Sequence, residues 1–325
     1  MKQLVQQWYS PRVSLWLLPI SWLFSLLVMV RRSAYKTGVL GSYRLPVPVI
    51  VVGNISVGGT GKTPLVAWLV KVLQQWGYRP GVITRGYGGQ AQQWPQQVTP
   101  ASDPVTVGDE PVLLAQRCGC PVVAAPDRVL AARELLGHFS CDILISDDGL
   151  QHYRLQRDIE IVVVDGARRF GNGHCLPAGP LREPISRLRQ VDYVVANGAA
   201  ASGEFAMQLL PGMARSLGDH NKVVSITDFQ GQQVHAVAGI GNPARFFELL
   251  KKSGLSVIEH PFPDHHAFTM TDLAFADGLP VLMTEKDAVK CRRYADARMW
   301  YLPVEAQLDQ EFSQRLMQQV NRLTK

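Results

Sequence analysis

A glycine-rich loop between an apolar run and a helical pattern is the feature that most constrains the fold. Residues 47–52 are almost wholly apolar and β-branched, interrupted only by Pro48, as in a strand buried on both faces. The loop Gly53–Thr63 (GNISVGGTGKT) follows, and then Pro64 and an amphipathic pattern over 65–75. Strand, glycine loop, Gly-Lys-Thr and helix in this order are typical of a phosphate-binding loop. The sequence therefore predicts binding of a nucleoside triphosphate.

The chemistry of this loop depends on its backbone. Glycines let consecutive N–H groups turn toward an anion, and the helix N-terminus adds partial positive charge. Lys62 is expected to reach the β- and γ-phosphates, and the Thr63 hydroxyl to ligate Mg²⁺. The alternative is a glycine-rich turn with a chance lysine, because Ser56 stands where the motif usually opens with glycine. The predicted nucleotide-binding residues are Ser56, Val57, Gly58, Gly59, Thr60, Gly61, Lys62 and Thr63.

Composition describes a globular chain with an anionic partner. At 325 residues the chain has room for two domains or one large one, and 46% of its residues are hydrophobic. A net charge of +6 favours nucleic acid, an acidic membrane surface or a phosphorylated substrate. Five cysteines, an odd number, indicate a reducing compartment. Cys118-Gly119-Cys120 has no second pair or nearby histidine, so a metal site there is disfavoured.

The N-terminal region is the candidate for membrane contact. Residues 14–30 carry no charge and precede Arg31 and Arg32. Seventeen residues are at the lower limit for crossing a bilayer, so a short span, an interfacial anchor and a core helix all remain open. Trp16 and Trp22 suit an interface, and the basic flank suits anionic lipid. Both membrane alternatives leave the body of the protein in the cytoplasm.

Beyond the loop, apolar runs alternate with helical patterns, which predicts an α/β fold with a mostly parallel sheet flanked by helices. Residues 90–102 and 168–189 are predicted as loops, the former mobile. The glycine turn over 239–243 lacks a lysine, so a structural role is favoured. The predicted strands are 82–84, 121–124, 143–146, 159–164, 191–196, 234–240, 257–258, 281–283 and 300–302, and the later helices are 243–252 and 308–323.

These patterns divide the chain into three predicted parts. Residues 1–36 are a membrane-associated segment with a hydrophobic helix, and 37–222 are a P-loop-type kinase domain. Residues 223–325 are a smaller α/β C-terminal domain that closes over the cleft.

The sequence contains two candidate acidic pairs, of which one follows a predicted strand and the other begins a predicted helix. Asp147-Asp148 comes directly after a buried strand, where a carboxylate can hold Mg²⁺ or its waters against Thr63. The alternative is a pair of solvated turn acids. Asp109-Glu110 opens a helix, where carboxylates ordinarily complement the helix dipole. Beside a phosphate loop, Asp109 also becomes a candidate base for a substrate hydroxyl.

Asp264-His265-His266 is a second acid–base candidate, framed by Pro263 and Phe268. Histidines in such a pair are more often at the surface or in the core than catalytic. A catalytic role is therefore supported only when this motif is considered together with the phosphate-binding loop.

Taken together, the motifs resemble the tetraacyldisaccharide 4′-kinase family, the lipid A kinases of Gram-negative bacteria. Each motif alone is weak, but the set is specific, keeps the family's order and covers nearly the whole chain. The family's loop also has a serine near the place of Ser56. The motifs are VIVVGNISVGGTGKTPLVAWL, GYRPGVITRGYGG, GDEP, DDGLQH, LPAGPLREP, PDHH and MTEKDAVK.

The resemblance implies ATP and Mg²⁺ as cofactors and a tetraacylated glucosamine disaccharide 1-phosphate as acceptor. Its 4′-hydroxyl would attack the γ-phosphate to form lipid IVA in lipid A biosynthesis. The implied location is the cytoplasmic face of the bacterial inner membrane. The expected partners are the lipid and the membrane surface, with no nucleic acid and no required protein partner.

Site residues carry over from the family by motif. Asp109 matches the general base and His265 the histidine paired with it. Lys62 and Asp148 join them as expected catalytic residues, and Thr63, Asp147 and Glu110 are the expected Mg²⁺ ligands. His152 is expected at the nucleotide, and Tyr87, Arg182 and Glu183 at the acceptor.

The alternative class is a membrane-associated P-loop ATPase switch that acts on a protein partner. Such a switch shares the loop and the membrane segment but needs no base for an acceptor hydroxyl. The GDEP and PDHH motifs favour the kinase. A kinase should also turn over ATP rapidly only when the lipid acceptor is present.

Overall fold

The computed structural model describes residues 7–10, 13–219 and 221–324, and within them the strands form a sheet of nine strands and a sheet of six. The strands are β1 Val49–Gly53, β2 Pro80–Thr84, β3 Gln96–Val98, β4 Val122–Ala124, β5 Ile143–Asp147, β6 Ile159–Asp165, β7 Tyr193–Asn197, β8 Phe205–Pro211, β9 Ala214–Ser216, β10 Val223–Val224, β11 Gln233–Ala238, β12 Ser256–Pro261, β13 Val281–Thr284, β14 Met299–Leu302 and β15 Val304–Leu308. The helices are α1 Leu18–Lys36, α2 Lys62–Gln75, α3 Pro104–Val107, α4 Asp109–Cys118, α5 Arg128–His138, α6 Pro243–Lys252, α7 Glu285–Cys291 and α8 Gln310–Leu323.

The first sheet has the order β15-β8-β7-β6-β1-β5-β2-β4-β3, and its middle is parallel. Strand β1 lies between β5 and β6, and all five of its residues are buried, as its apolar composition predicts. The carboxyl ends of parallel strands meet at one edge, so the segments after β1 and β5 are neighbours. The predicted α/β architecture with a mostly parallel sheet is confirmed.

The second sheet has the order β10-β9-β14-β13-β11-β12. Its strands β12, β11, β13 and β14 pair in parallel, and β9 and β10 add an antiparallel edge. Helix α6 buries Phe246, Phe247 and Leu250 against this sheet, and its bounds are those predicted from the sequence.

The chain crosses between the sheets more than once, which corrects the predicted division. Strand β9 lies before residue 222 yet belongs to the second sheet. Strand β15 pairs antiparallel with β8 in the first sheet, and α8 buries Phe312, Leu316 and Val320 in the same core. A boundary at 222 therefore does not separate the two sheets, because the last 20 or so residues return to the first.

Several elements differ from their predictions. The predicted mobile loop over 90–102 contains β3, which pairs antiparallel with β4. Helix α8 begins at Gln310, two residues after the predicted start at 308, because residue 308 ends strand β15. Strand β8 and helices α5 and α7 were not predicted.

Helix α1 exposes most of its apolar surface. With the turn Leu15–Leu17 before it, it is long and apolar enough by length and composition to cross a membrane. Trp16 is 91% exposed and Trp22 63%. Ser21 is buried and donates a 2.7 Å hydrogen bond to the carbonyl of Cys175, which attaches the helix to the body. This exposure argues against the core-helix alternative and leaves a span and an interfacial anchor open.

Replacing Phe312 with Ala should lower the free energy of unfolding by about 3–5 kcal/mol. Its fully buried ring packs on Tyr193, Phe205 and Trp68 with centroid separations of 5.3, 5.2 and 5.6 Å. Urea unfolding in detergent measures the loss. Met317→Ala on the exposed side of the same helix should cost less than about 1 kcal/mol, and equal losses would contradict this account of α8.

Candidate functional site

The glycine loop joins β1 to α2, as the phosphate-binding motif requires. Gly58 and Gly61 have φ of +106° and +101°, which side chains other than glycine adopt only with strain. A Cβ at Gly61 would also lie 2.6 Å from Nδ2 of Asn197. The glycines are therefore required by the backbone path of the loop.

Two backbone carbonyls of the loop accept hydrogen bonds from side chains outside the loop. Arg168 donates to the carbonyl of Gly59 at 2.9 Å, and Asn197 donates to the carbonyl of Thr60 at 3.0 Å. Within the described part of the chain, the backbone N–H groups of residues 58–61 donate to no protein acceptor. Unsatisfied N–H groups at a helix N-terminus are what an anion binds.

Lys62 and Arg182 both pair with Asp148. Nζ of Lys62 lies 3.4 Å from Oδ1 of Asp148, and Nη1 of Arg182 lies 3.3 Å from Oδ2. Burial opposes ionisation of Asp148, but the two cations outweigh it and lower the pKa of that carboxyl. Asp148 therefore positions Lys62 at the mouth of the loop.

Asp147 ends β5 and is almost fully buried. Burial, with the charges of Glu110 and Asp148, raises the pKa of Asp147 to about 7. Its Oδ1 has no hydrogen-bond partner among the described residues, an unusual state for a buried carboxylate that a cation would relieve. In that same part of the chain, no cluster of three or more His, Cys, Asp or Glu side chains is arranged to hold a metal ion by itself.

Asp109 and His265 form a hydrogen-bonded pair, as predicted for these distant residues. Nδ1 of His265 lies 3.1 Å from Oδ2 of Asp109, and the amide of Glu110 donates to Oδ1 at 2.9 Å. The His265 ring also packs on Tyr87, with centroids 4.9 Å apart. Burial opposes ionisation of Asp109, but the hydrogen bond from His265 and the charge of Lys286 lower its pKa. The same hydrogen bond raises the pKa of His265.

Lys286 belongs to this site, although sequence reasoning gave it no role. Its Nζ lies 2.9 Å from Oε1 of Glu110, 3.3 Å from Oδ1 of Asp264 and 3.3 Å from Nε2 of His265. It lies in the MTEKDAVK motif, 176 residues from Glu110, and no local pattern marks that contact.

Two predicted residues have mainly structural surroundings. The Glu183 carboxylate is buried and accepts hydrogen bonds from Gln151 at 2.8 Å and from the Tyr153 hydroxyl at 2.7 Å. His152 lies 3.5 Å from Asp127, and burial, with the charge of Arg128, lowers its pKa to about 4. Neither side chain lines the large cavity.

That cavity has a volume of about 850 Å³, within the range of small-molecule sites. It is bounded by residues 57–64 of the loop, by Phe24 and Val28 of α1, by Tyr87 and Arg182, and by the second sheet's turn over 240–242. Its wall also includes Glu110, Asp148, Asp264 and Lys286. The cavity thus joins an anion-binding loop, an acidic cluster and an apolar helix.

Asp109 and His265 line a neighbouring cavity of about 460 Å³. Glu110, Asp264 and Lys286, which contact or adjoin the pair, face the larger one. The pair therefore lies in the wall between the two cavities.

Comparisons with known proteins agree on one family. The family model described as Tetraacyldisaccharide-1-P 4′-kinase matches residues 13–321. The tetraacyldisaccharide 4′-kinase of Nitrosococcus oceani is 57% identical over 97% of this chain and 93% of its own length. The tetraacyldisaccharide 4′-kinase of Methylobacillus flagellatus is 52% identical over 98% of this chain and 96% of its own length. A crystal structure of LpxK from Aquifex aeolicus in complex with ATP superposes with a TM-score of 0.80 at 30% identity, covering 95% of this chain and 98% of that one.

Replacing Gly61 with Ala should weaken ATP binding by about tenfold or more, equivalent to about 1.4 kcal/mol. The new Cβ combines a strained φ with the close approach of Asn197, so the loop must move. Isothermal titration with ATP gives the change.

Gly77→Ala, just beyond the other end of α2, is the matched control. Gly77 has φ of +90°, and nothing lies within 4 Å of its added Cβ. The Gly77→Ala substitution should lower the free energy of unfolding by about 1–2 kcal/mol and leave the affinity for ATP unchanged. Equal ATP affinities of the two variants would contradict the role of Gly61.

Proposed function

The chain belongs to the Tetraacyldisaccharide-1-P 4′-kinase family, and we propose that it transfers the γ-phosphate of ATP to the 4′-hydroxyl of a tetraacylated glucosamine disaccharide 1-phosphate, forming lipid IVA in lipid A biosynthesis. One arrangement carries this assignment within the structure. A phosphate-binding loop and apolar side chains of α1 line one cavity, and the acid–histidine pair lies in the wall between that cavity and its neighbour.

The loop residues Ser56 to Thr63 are proposed to hold the triphosphate. The unpaired N–H groups of residues 58–61 supply donors for anionic oxygens, and Lys62 adds a charge. When bound, ATP supplies the phosphoryl group. Because phosphoryl transfer needs mainly positioning and neutralisation of charge, donors held in place before binding are effective.

Thr63, Asp147 and Glu110 are proposed to hold Mg²⁺. The unpartnered Oδ1 of Asp147, and the burial that raises the pKa of this carboxyl, fit a ligand that would be stabilised by a cation. Oε1 of Glu110 is engaged by Lys286, so its other oxygen would serve the metal. When bound, Mg²⁺ supplies charge neutralisation at the phosphates.

Asp109 is proposed as the base for the 4′-hydroxyl, with His265 orienting it. Since its pKa is lowered, Asp109 is an ionised acceptor at neutral pH. His265 and the amide of Glu110 each occupy one oxygen of the carboxylate, and each oxygen keeps a lone pair for a hydroxyl. His152 is proposed near the nucleotide.

The acceptor is proposed to enter beside α1. Phe24 and Val28 face the cavity, while the outer side of the helix is apolar and exposed, as suits contact with a bilayer. Tyr87 and Arg182 are the proposed contacts with the sugar and its phosphate, and Glu183 holds the segment beside Arg182. The basic residues that follow the apolar run support attachment at the cytoplasmic face of the inner membrane.

Lys62→Ala should lower transfer of ³²P from [γ-³²P]ATP into the acylated disaccharide phosphate by about 10²-fold, or about 3 kcal/mol. Lys71→Ala, on the exposed side of α2, is the control and should leave the rate unchanged. Near-normal labelling by the Lys62 variant would refute the loop's role, and no labelling by the unaltered protein would refute the function.

Asp109→Ala and His265→Ala should each lower kcat with little change in KM for ATP, and the double variant should lose much less than the product of the two losses. The reason is that a base and its orienting partner act as one unit. Steady-state kinetics on all four proteins complete the cycle.

The surface pair Glu134 and His138, 3.3 Å apart on α5 and away from both cavities, provides matched control substitutions that should leave kcat unchanged. Additive losses at Asp109 and His265 would mean two independent roles.

A further inference from the structure

A further cavity, of about 440 Å³, lies beside the C-terminal end of α1. It is bounded by Arg32 and Lys36 of α1, by the segment 153–160 and by Arg187. We call this cavity the α1 pocket. The ring of Tyr153 lines both the α1 pocket and the 850 Å³ cavity, so the two are neighbours. Nothing in the proposed function uses the α1 pocket.

The carboxylates of the α1 pocket are already satisfied by the protein. Both oxygens of each of the three carboxylates in its wall accept hydrogen bonds. These carboxylates are Asp158, Glu160 and Asp192, and their donors are, respectively, Arg44 and the amide of Val49, Arg157 and Arg187, and Gln319 and the amide of Glu160. Arg157 is also fully used, since its three nitrogens donate to Glu160 and to two backbone carbonyls. The pocket therefore has no free carboxylate that would repel an anion.

Two cations of the α1 pocket keep unused donors. Arg187 is only 2% exposed and its Nη2 donates to Glu160, but its Nη1 has no hydrogen-bond partner among the described residues. The side chain of Lys36, the last residue of α1, is exposed and has no partner in that same part of the chain. A buried guanidinium donor is costly to leave unpaired. An anionic group with several oxygens would satisfy both cations.

The surroundings of Lys36 indicate which anion can reach the pocket. Exposed apolar side chains lie on both sides of it in the chain, Val30 before it and Val39 and Leu40 after it, and Val39 is 79% exposed. Such a surface suits the boundary between acyl chains and headgroups, where lysine meets lipid phosphate. Tyr35, which also lines the pocket, is a side chain typical of that depth.

We propose that the α1 pocket binds the phosphate of an anionic membrane phospholipid, with Lys36 and Nη1 of Arg187 as its donors. The site goes beyond the proposed function, because it requires neither ATP nor the acceptor. A headgroup bound there fixes the depth of this end of α1 at the bilayer surface.

A competing explanation is diffuse attraction between the basic flank of α1 and an anionic surface. Arg31 belongs to the same flank, but it lines the 850 Å³ cavity and lies over the ring of Tyr153 at 5.5 Å. Diffuse attraction depends on the number of charges, so removal of Arg31 or of Lys36 would have equal effects. A discrete pocket requires Lys36 and makes the two effects unequal.

The test measures binding of a short-chain lipid by the full-length protein in uncharged detergent. Isothermal titration with dihexanoyl phosphatidylglycerol, corrected for titration into detergent alone, should give one site per chain. Dihexanoylglycerol has the same acyl chains without the phosphate and should give none. Lys36→Met should weaken binding of the phospholipid by about fivefold or more, as expected for one cation at a lipid phosphate.

Arg31→Met is the matched control, because it removes the same charge from the same end of α1. It should weaken binding by less than about twofold. Equal losses in the two variants, or equal binding of dihexanoylglycerol, would overturn the inference. Arg187→Lys keeps a cation for Glu160 but loses the free Nη1, so it should also weaken binding of the phospholipid by about fivefold.

Competing ligands distinguish the sources of phosphate. Saturating ATP should leave the affinity for the phospholipid unchanged, and displacement by ATP would place the lipid at the glycine loop. Inorganic phosphate should bind about tenfold more weakly, because it lacks acyl chains, and equal affinity would assign the pocket to a free anion. Displacement by the acylated disaccharide phosphate would assign it to the acceptor. These measurements need no turnover, so they stand even if the unaltered protein labels no lipid and the proposed function fails.

Discussion

The parallel pairing of β1 with β5 is the constraint on which the rest of the site depends. The register places Val52 opposite Asp147, so the loop that follows β1 and the acidic pair that ends β5 emerge at the same edge. Lys62 at the start of α2 can then reach Asp148 across 3.4 Å. Because register in a parallel sheet is held by continuous apolar packing on both faces, the chemistry at this edge is secured by the buried valines and isoleucines below it.

The second sheet contributes by close approach to the loop. A Cβ at Gly241 would lie 2.9 Å from the backbone nitrogen of Gly59, so the glycine turn after β11 packs directly on the phosphate loop. Arg168, held by Asp165, donates to the carbonyls of both Gly59 and Gly241. The turn over 239–243 is thus structural, as its lack of a lysine predicts, but what it supports is the nucleotide loop. Small residues are required there because any larger one would separate the two sheets.

The parts of the fold with strong local patterns were predictable. Strand β1 is uniformly apolar, and α6 has proline at its start and a clear apolar stripe, so both agree with the sequence analysis. Helix α5 was missed because its buried face is rich in alanine, which gives little contrast between its sides. Strands β8 and β15 were missed because they are held by pairing, β8 with β7 and β15 with β8, which no local pattern marks. The Asp109–His265 contact came from family resemblance, and the Lys286 contacts, which join distant segments, had no signal at all.

Lys62 and Lys286 of the cleft are paired with carboxylates, and this pairing explains how a site with so much charge remains folded. Lys62 is held by Asp148, and Lys286 by Glu110 and Asp264. A buried cation without a partner would cost several kcal/mol, whereas a paired one stays in place and charged. Lys62 can then turn from Asp148 toward a bound phosphate, and Arg182 remains to neutralise the carboxylate it leaves. Among the described residues, Glu110 and Asp264 pair with no lysine or arginine other than Lys286. The two lysines therefore differ: Lys62 shares its carboxylate with a second cation, Arg182, whereas Lys286 links α4 to the segment that follows β12.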